Sequence, residues 1–182
     1  IESKTLDVHQ LRSGIFLKQI AGEMAKFHLL ETPFDKRPIY ISRFTSKYLP
    51  YFLQALQQKD IMTPEQRKIV LEMSTMNLVN EYETLLEILE KSDSPTVFCH
   101  NDVQEGNLLL LGSKSHSSQN KIMFIDFEYS YYGYRGFDLG NHFCEWVLQN
   151  VSDKPLGFDF DPNFYPTHEQ QIDFANAYLE CI

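Results

Sequence analysis

Apolar side chains recur at helical spacing through the first half of the chain and give way to short β-rich runs after Pro95. Within residues 15–30, Phe16, Ile20, Met24 and Phe27 follow at intervals of four, four and three, the stripe an α-helix turns toward a core. Thr63-Pro64-Glu65-Gln66 predicts a second helix start. Thr63 is placed to cap, Pro64 sits where no amide hydrogen is needed, and Gln66 completes a capping box. That helix is expected to run to about Lys91, with Ile69, Met73, Met76, Leu85, Leu86 and Leu89 on apolar positions, until Ser92-Asp93-Ser94-Pro95 stops it. Three strands are predicted next, Thr96–Cys99, Leu108–Leu111 and residues 121–125. The last two flank a serine-rich stretch, residues 112–120, that reads as a long exposed hairpin loop. Helices are predicted over residues 137–149 and again from Thr167, where Thr167-His168-Glu169-Gln170 repeats the capping-box pattern. No internal repeat is visible. Helices, a small β hairpin and further helices describe an α+β fold that is mostly α.

The chain has 182 residues, the size of one ordinary domain or a large lobe, and its 43% hydrophobic content is enough for a core. No run approaches the roughly 18 apolar residues of a membrane span, and no basic-then-apolar signal segment opens it. A formal charge of -9 argues against nucleic acid as the main partner, since a phosphate backbone selects basic surfaces. Cys99, Cys144 and Cys181 are odd in number and lack zinc-type spacing, so reduced thiols in a cytoplasmic protein are expected.

Two segments carry the chemistry: His100-Asn101-Asp102-Val103-Gln104-Glu105-Gly106-Asn107 and Ile125-Asp126-Phe127-Glu128-Tyr129. Each follows a predicted strand, where a rigid scaffold hands the chain to a loop and functional groups concentrate. Phosphoryl transfer explains the combination, because its loose transition state asks the protein for positioning and charge neutralisation. A carboxylate must orient the attacking hydroxyl and take its proton, and magnesium needs hard oxygen ligands. On this reading Asp102 is the base, Asn107 a metal ligand through its amide oxygen, and Asp126 the main metal ligand. Protein kinases show the same order, with Asn101 here replacing their arginine and Glu128 their glycine. His100 is read as structural, its ring bonding backbone to hold the loop. Gly106 is expected to supply a backbone angle that other residues resist.

In the helix predicted next, Asp138, Asn141, His142 and Glu145 share a polar face, of the kind usually solvated. Leu139, Phe143 and Trp146 share an apolar one, which places Trp146 in the core. Tyrosines at positions 129, 131, 132 and 134 precede it. A carboxylate beside tyrosine rings suits a small cation, through charge pairing and attraction to ring faces.

The runs Val97 to Leu110, Ile125 to Tyr129 and Tyr134 to Trp146 resemble the catalytic loop and signature region of the choline/ethanolamine kinase family. The resemblance is strong over residues 95–146 and weaker through the preceding helices. It implies the C-terminal, catalytic lobe of a protein kinase-like fold, with residues 1–182 forming a partial catalytic domain. The expected reaction is ATP-dependent phosphorylation of choline to phosphocholine, the first step of phosphatidylcholine synthesis, with ethanolamine as the alternative acceptor. The resemblance supports Asp102 as base and substrate contact, with Asn107 and Asp126 on Mg2+ and Asp126 also facing the nucleotide. Gln104 matches a position near ATP, and Tyr129 and Glu145 match positions that hold the substrate's ammonium group. Asp138 resembles the aspartate that braces the catalytic loop through backbone hydrogen bonds. The family implies a homodimer for the full-length protein. Its N-terminal nucleotide lobe and its tryptophan-bearing C-terminal helices would lie outside this chain, and Asn150 stands where relatives often place a tyrosine. Aminoglycoside phosphotransferases share the loop chemistry, but the 129–146 run does not look like theirs. A non-catalytic fragment acting as a binding or dimerisation partner is the alternative from another class.

Overall fold

The computed structural model describes residues 3–57, 62–112, 121–151, 153 and 157–182. Strand β1 (Ser3–Thr5) leads to the short helix α1 (Val8–Arg12), and the stripe predicted for residues 15–30 becomes α2 (Leu17–His28). Its Ile20, Met24 and Ala25 are buried, as the spacing requires. Helix α3 (Tyr40–Ala55) follows. The predicted long helix from Thr63 divides into α4 (Pro64–Ser74) and α5 (Leu78–Lys91). Its start is as read, with Thr63 and Gln66 forming a reciprocal capping box. The break comes where Ser74 and Thr75 turn their hydroxyls back onto the carbonyls of Leu71 and Glu72. Asn77 then caps a fresh start by accepting from the amide of Asn80. Such side-chain bonds offer the backbone an alternative to the helix ladder, and Met76, expected on the apolar face, is left exposed.

Beyond Pro95 come β2 (Thr96–Cys99), a 3-10 turn (Glu105–Asn107), β3 (Leu108–Leu111), β4 (Lys121–Phe124) and β5 (Tyr131–Tyr134). β3 pairs antiparallel with both β1 and β4, the latter in the register Leu108 to Phe124, so the expected hairpin pairing forms; residues 113–120 of its loop lie outside the described residues. β2 pairs with β5, from Thr96 opposite Tyr134 to Cys99 opposite Tyr131. The tyrosine run read only as lying between two elements is therefore partly a strand. At Gly133 a Cβ would sit 3.3 Å from the Cys99 Sγ, which favours glycine in this close pairing.

Helix α6 (Arg135–Glu145) starts two residues earlier than predicted and ends four earlier. Leu148 and Gln149, assigned to it from the sequence, belong to β6 (Leu148–Asn150), which pairs with β7 (Phe158–Phe160). α7 (His168–Leu179) begins on the predicted Thr167–Gln170 capping box. α7 packs along α2, and Leu11, Ile20, Met24, Leu108, Ile122, Trp146 and Phe174 join one apolar core beneath the β3–β4 hairpin. Each end of that hairpin delivers one of the two chemistry-bearing segments.

Candidate active site

The first loop leaves β2 at His100 and is held from below by α6. Asp138 is fully buried and accepts the amide of His100 on Oδ2 and the amide of Asn101 on Oδ1, each at 2.8 Å. One turn later the buried His142 donates through Nδ1 to the Val103 carbonyl at 2.7 Å, while its Nε2 accepts from the Trp146 indole at 3.4 Å. Burial depresses the His142 pKa to about 4, so the ring is neutral and its two nitrogens keep these opposite roles. The polar face of α6 is thus largely buried rather than solvated. A loop with no ladder of its own must find partners for its backbone groups, and α6 supplies them.

Three links tie this loop to the second. His100 Nε2 donates to the Ile125 carbonyl at 3.0 Å, the Asn101 side-chain amide donates to the Tyr129 carbonyl at 2.9 Å, and the Ile125 amide donates to the Asn107 carbonyl at 3.1 Å. The His100 ring packs among Phe27, Phe124 and Phe127, and burial lowers its pKa against the opposing pull of Asp138, Asp102 and Asp126. The structural role read for His100 holds. Asn101 and Asp126 take positive φ, 64° and 63°, a region that asparagine and aspartate enter more readily than other side chains. Gly106 does not, which corrects the expectation of a special angle there: the sharp turns sit at Asn101 and Asp126 instead.

Asp102, Gln104 and Asn107 are brought into direct contact. Asp102 Oδ2 accepts from the Asn107 side-chain amide at 2.7 Å and from Gln104 Nε2 at 3.3 Å. Asn107 also donates to the Asp102 carbonyl, at 2.9 Å. Oδ1 of Asp102 makes no hydrogen bond among the described residues. With its nitrogen engaged, the Asn107 amide turns its oxygen to the other side of the group. The Asn107–Ile125 backbone bond sets Asp126, one residue on, next to Asn107 along the hairpin. Asp126 itself is exposed.

Among the described residues, Tyr129 and Glu145 line two different hollows, and Asp102 lines both. One, of about 320 Å³, is walled by the rings of Tyr40, Phe44, Tyr129 and Phe137. The other, of about 290 Å³, holds Gln104, Glu105, Glu145, Asn150 and Phe158. Burial, with the nearby carboxylates of Asp102 and Glu105, pushes the Glu145 pKa up to about 7. Burial likewise holds the Tyr40 phenol at about 12, beside Tyr129 and Asp102.

Sequence reasoning missed His28 and Tyr178. His28 meets Asp138 Oδ2 through Nε2 at 2.9 Å and the Tyr178 hydroxyl through Nδ1 at 2.7 Å. In sequence His28 closes an apolar helix and Tyr178 nearly ends another, with no local signal beyond a polar atom on a buried face. His28, Cys99 and Asp138 lie close enough for a metal. However, both His28 nitrogens and both Asp138 oxygens already have protein partners, so the cluster is a hydrogen-bonded brace.

A loop carboxylate held by a downstream amide, followed by a strand-end aspartate and braced by a buried helical aspartate, is the order of groups that kinase-type phosphoryl transfer uses. Comparison with known proteins makes the class specific. The choline/ethanolamine kinase family model matches residues 1–182, and the chain belongs to that family. It is 41% identical over 179 residues to choline kinase alpha of Mus musculus, covering 98% of this chain and 39% of the mouse protein. It is 42% identical over 179 residues to the choline/ethanolamine kinase of Homo sapiens, covering 98% of this chain and 43% of the human protein. The crystal structure of choline kinase from Cryptosporidium parvum superposes over all of this chain and 52% of its own, with a TM-score of 0.69 and 28% identity. The chain thus spans about two fifths of the length of these curated relatives.

Proposed function

We propose that the protein transfers the γ-phosphate of ATP to the hydroxyl of choline, with this chain forming the large, catalytic lobe. The observation that carries this reading is the state of Asp102. One of its oxygens is pinned by Asn107 and Gln104, and the other has no hydrogen bond among the described residues. A carboxylate so held is oriented to bond the acceptor hydroxyl through Oδ1 and to take its proton as the O–P bond forms.

The donor set fits magnesium. The Asn107 amide oxygen and the exposed Asp126 carboxylate are hard oxygen ligands, and two such ligands are what a Mg2+ shared with ATP phosphates takes from protein. When bound, the ion would neutralise phosphate charge and align the donor. Gln104, bonded to Asp102, is assigned to the nucleotide side. Tyr129 and Glu145 are each assigned as a candidate contact for the ammonium group, one in each of the two hollows that Asp102 lines. Free Cys99, Cys144 and Cys181 support a reducing, cytoplasmic setting, and family membership supports a homodimer for the full-length protein.

Ethanolamine as acceptor is favoured by one observation. Among the described residues, the Glu145 hollow has a single ring, Phe158, beside acceptors such as Glu145 and Asn150. A primary ammonium donates hydrogen bonds to such groups, whereas choline's quaternary ammonium depends on aromatic faces.

In the full-length protein, Asp102→Ala is expected to lower choline phosphorylation at least about 100-fold while ATP binding, read by calorimetry, persists. Retained turnover removes Asp102 from the mechanism.

A further inference from the structure

The brace on the catalytic loop does not stop at Asp138. Behind that carboxylate stands His28 from α2, and behind His28 stands Tyr178 from α7. All three are buried, at 0%, 5% and 2% exposure for Asp138, His28 and Tyr178. Asp138 Oδ2 therefore accepts two bonds, from the His100 amide and His28 Nε2, while Oδ1 accepts the Asn101 amide.

We propose that Tyr178 and His28 are positioning residues for phosphoryl transfer, fixing Asp138 so that the His100–Asn101 backbone presents Asp102 in its reactive orientation. The inference rests on the reading of Asp102 as base. Its physical ground is the backbone that Asp138 holds. Asn101 sits at φ 64° immediately before Asp102, and a residue in that sparsely populated region persists only when its surroundings determine it. Two amides on one carboxylate determine it, provided the carboxylate cannot rotate. His28 prevents that rotation by its Nε2–H bond to Oδ2. With Nε2 engaged on Asp138, His28 Nδ1 meets the Tyr178 hydroxyl at 2.7 Å, so both ring nitrogens are held. Burial pushes the Tyr178 phenol above its ordinary pKa range, which keeps the hydroxyl proton in place for this bond. A buried network with every member partnered is rigid, whereas a buried donor or acceptor left alone is costly. The loop that carries the chemistry is in this way set from α7, 150 positions beyond His28.

The test is Tyr178→Phe in the full-length protein, which removes one hydroxyl and keeps the ring. Loss of a buried hydrogen bond predicts a kcat about tenfold lower with KM for the amino alcohol unchanged, and amide hydrogen exchange at His100 and Asn101 about tenfold faster. The 15N resonance of His28 Nδ1 should move as its hydrogen bond is lost. His28→Gln keeps a donor toward Asp138 and should retain more kcat than His28→Ala. Unchanged exchange at the two amides in Tyr178→Phe overturns the proposal, and so does faster exchange with unchanged kcat. A wild-type protein that phosphorylates neither choline nor ethanolamine sinks the parent reading instead, and amide exchange still reports the link by itself.

Discussion

Asp102 and Glu145 are both carboxylates on the same hollow, yet their surroundings divide them. Asp102 has two amide donors on one oxygen. Glu145 has burial and two carboxylate neighbours, which raise its pKa from 4.5 to about 7. A carboxyl with a raised folded pKa contributes stability that is fully present below about pH 4.5 and is lost as pH rises through 7. The same ionisation creates the charge an ammonium group would pair with. Choline's own charge does not titrate, so its affinity should strengthen between pH 6 and pH 8, and Glu145→Gln should flatten that rise. Calorimetric titration of choline across this range checks it; a pH-independent affinity in the wild type removes Glu145 from recognition. At this scale the sequence was most legible where side chains act on groups close in the chain. Asp102, Gln104 and Asn107 fall within six residues and meet. Gly106 misled, because glycine is only permissive of positive φ, and here asparagine and aspartate adopted it.

Helix starts were read well because a cap is local chemistry. Thr63 and Thr167 each form the reciprocal bonds that their sequence motifs imply. Thr167→Ala should lower stability by about 1 kcal/mol, measured as a shift in chemical denaturation with an unchanged m-value. Helix ends and breaks were read less well. α4 and α5 share one apolar pattern, and only the side-chain-to-backbone bonds at Ser74, Thr75 and Asn77 divide them. The end of α6 was overrun because Leu148 and Gln149 suit a helix, while pairing with β7 makes them a strand. α6 also shows how a face can be misjudged. Polar residues at helical spacing normally meet water, but the backbone of the loop from His100 to Val103 takes water's place around Asp138 and His142.

Across the molecule, the site is a meeting of distant segments. α2 and α7 pack together on the core, and the loop braces run through that same packing. Core damage should therefore reach the chemistry. Met24 is fully buried, and Met24→Ala is expected to cost about 2–5 kcal/mol by the lost contacts and the cavity left behind. Urea unfolding of the variant against wild type measures it. The family, the strand–loop–strand order and the residues that carry charge were readable from the chain alone, since each depends on neighbours in sequence. The partition of Tyr129 and Glu145 into separate hollows, the burial that lifts Glu145, and the Tyr178–His28–Asp138 brace were decided only by folding. Those features depend on which groups lose water and which partners replace it, and that is settled by contacts between residues far apart along the chain.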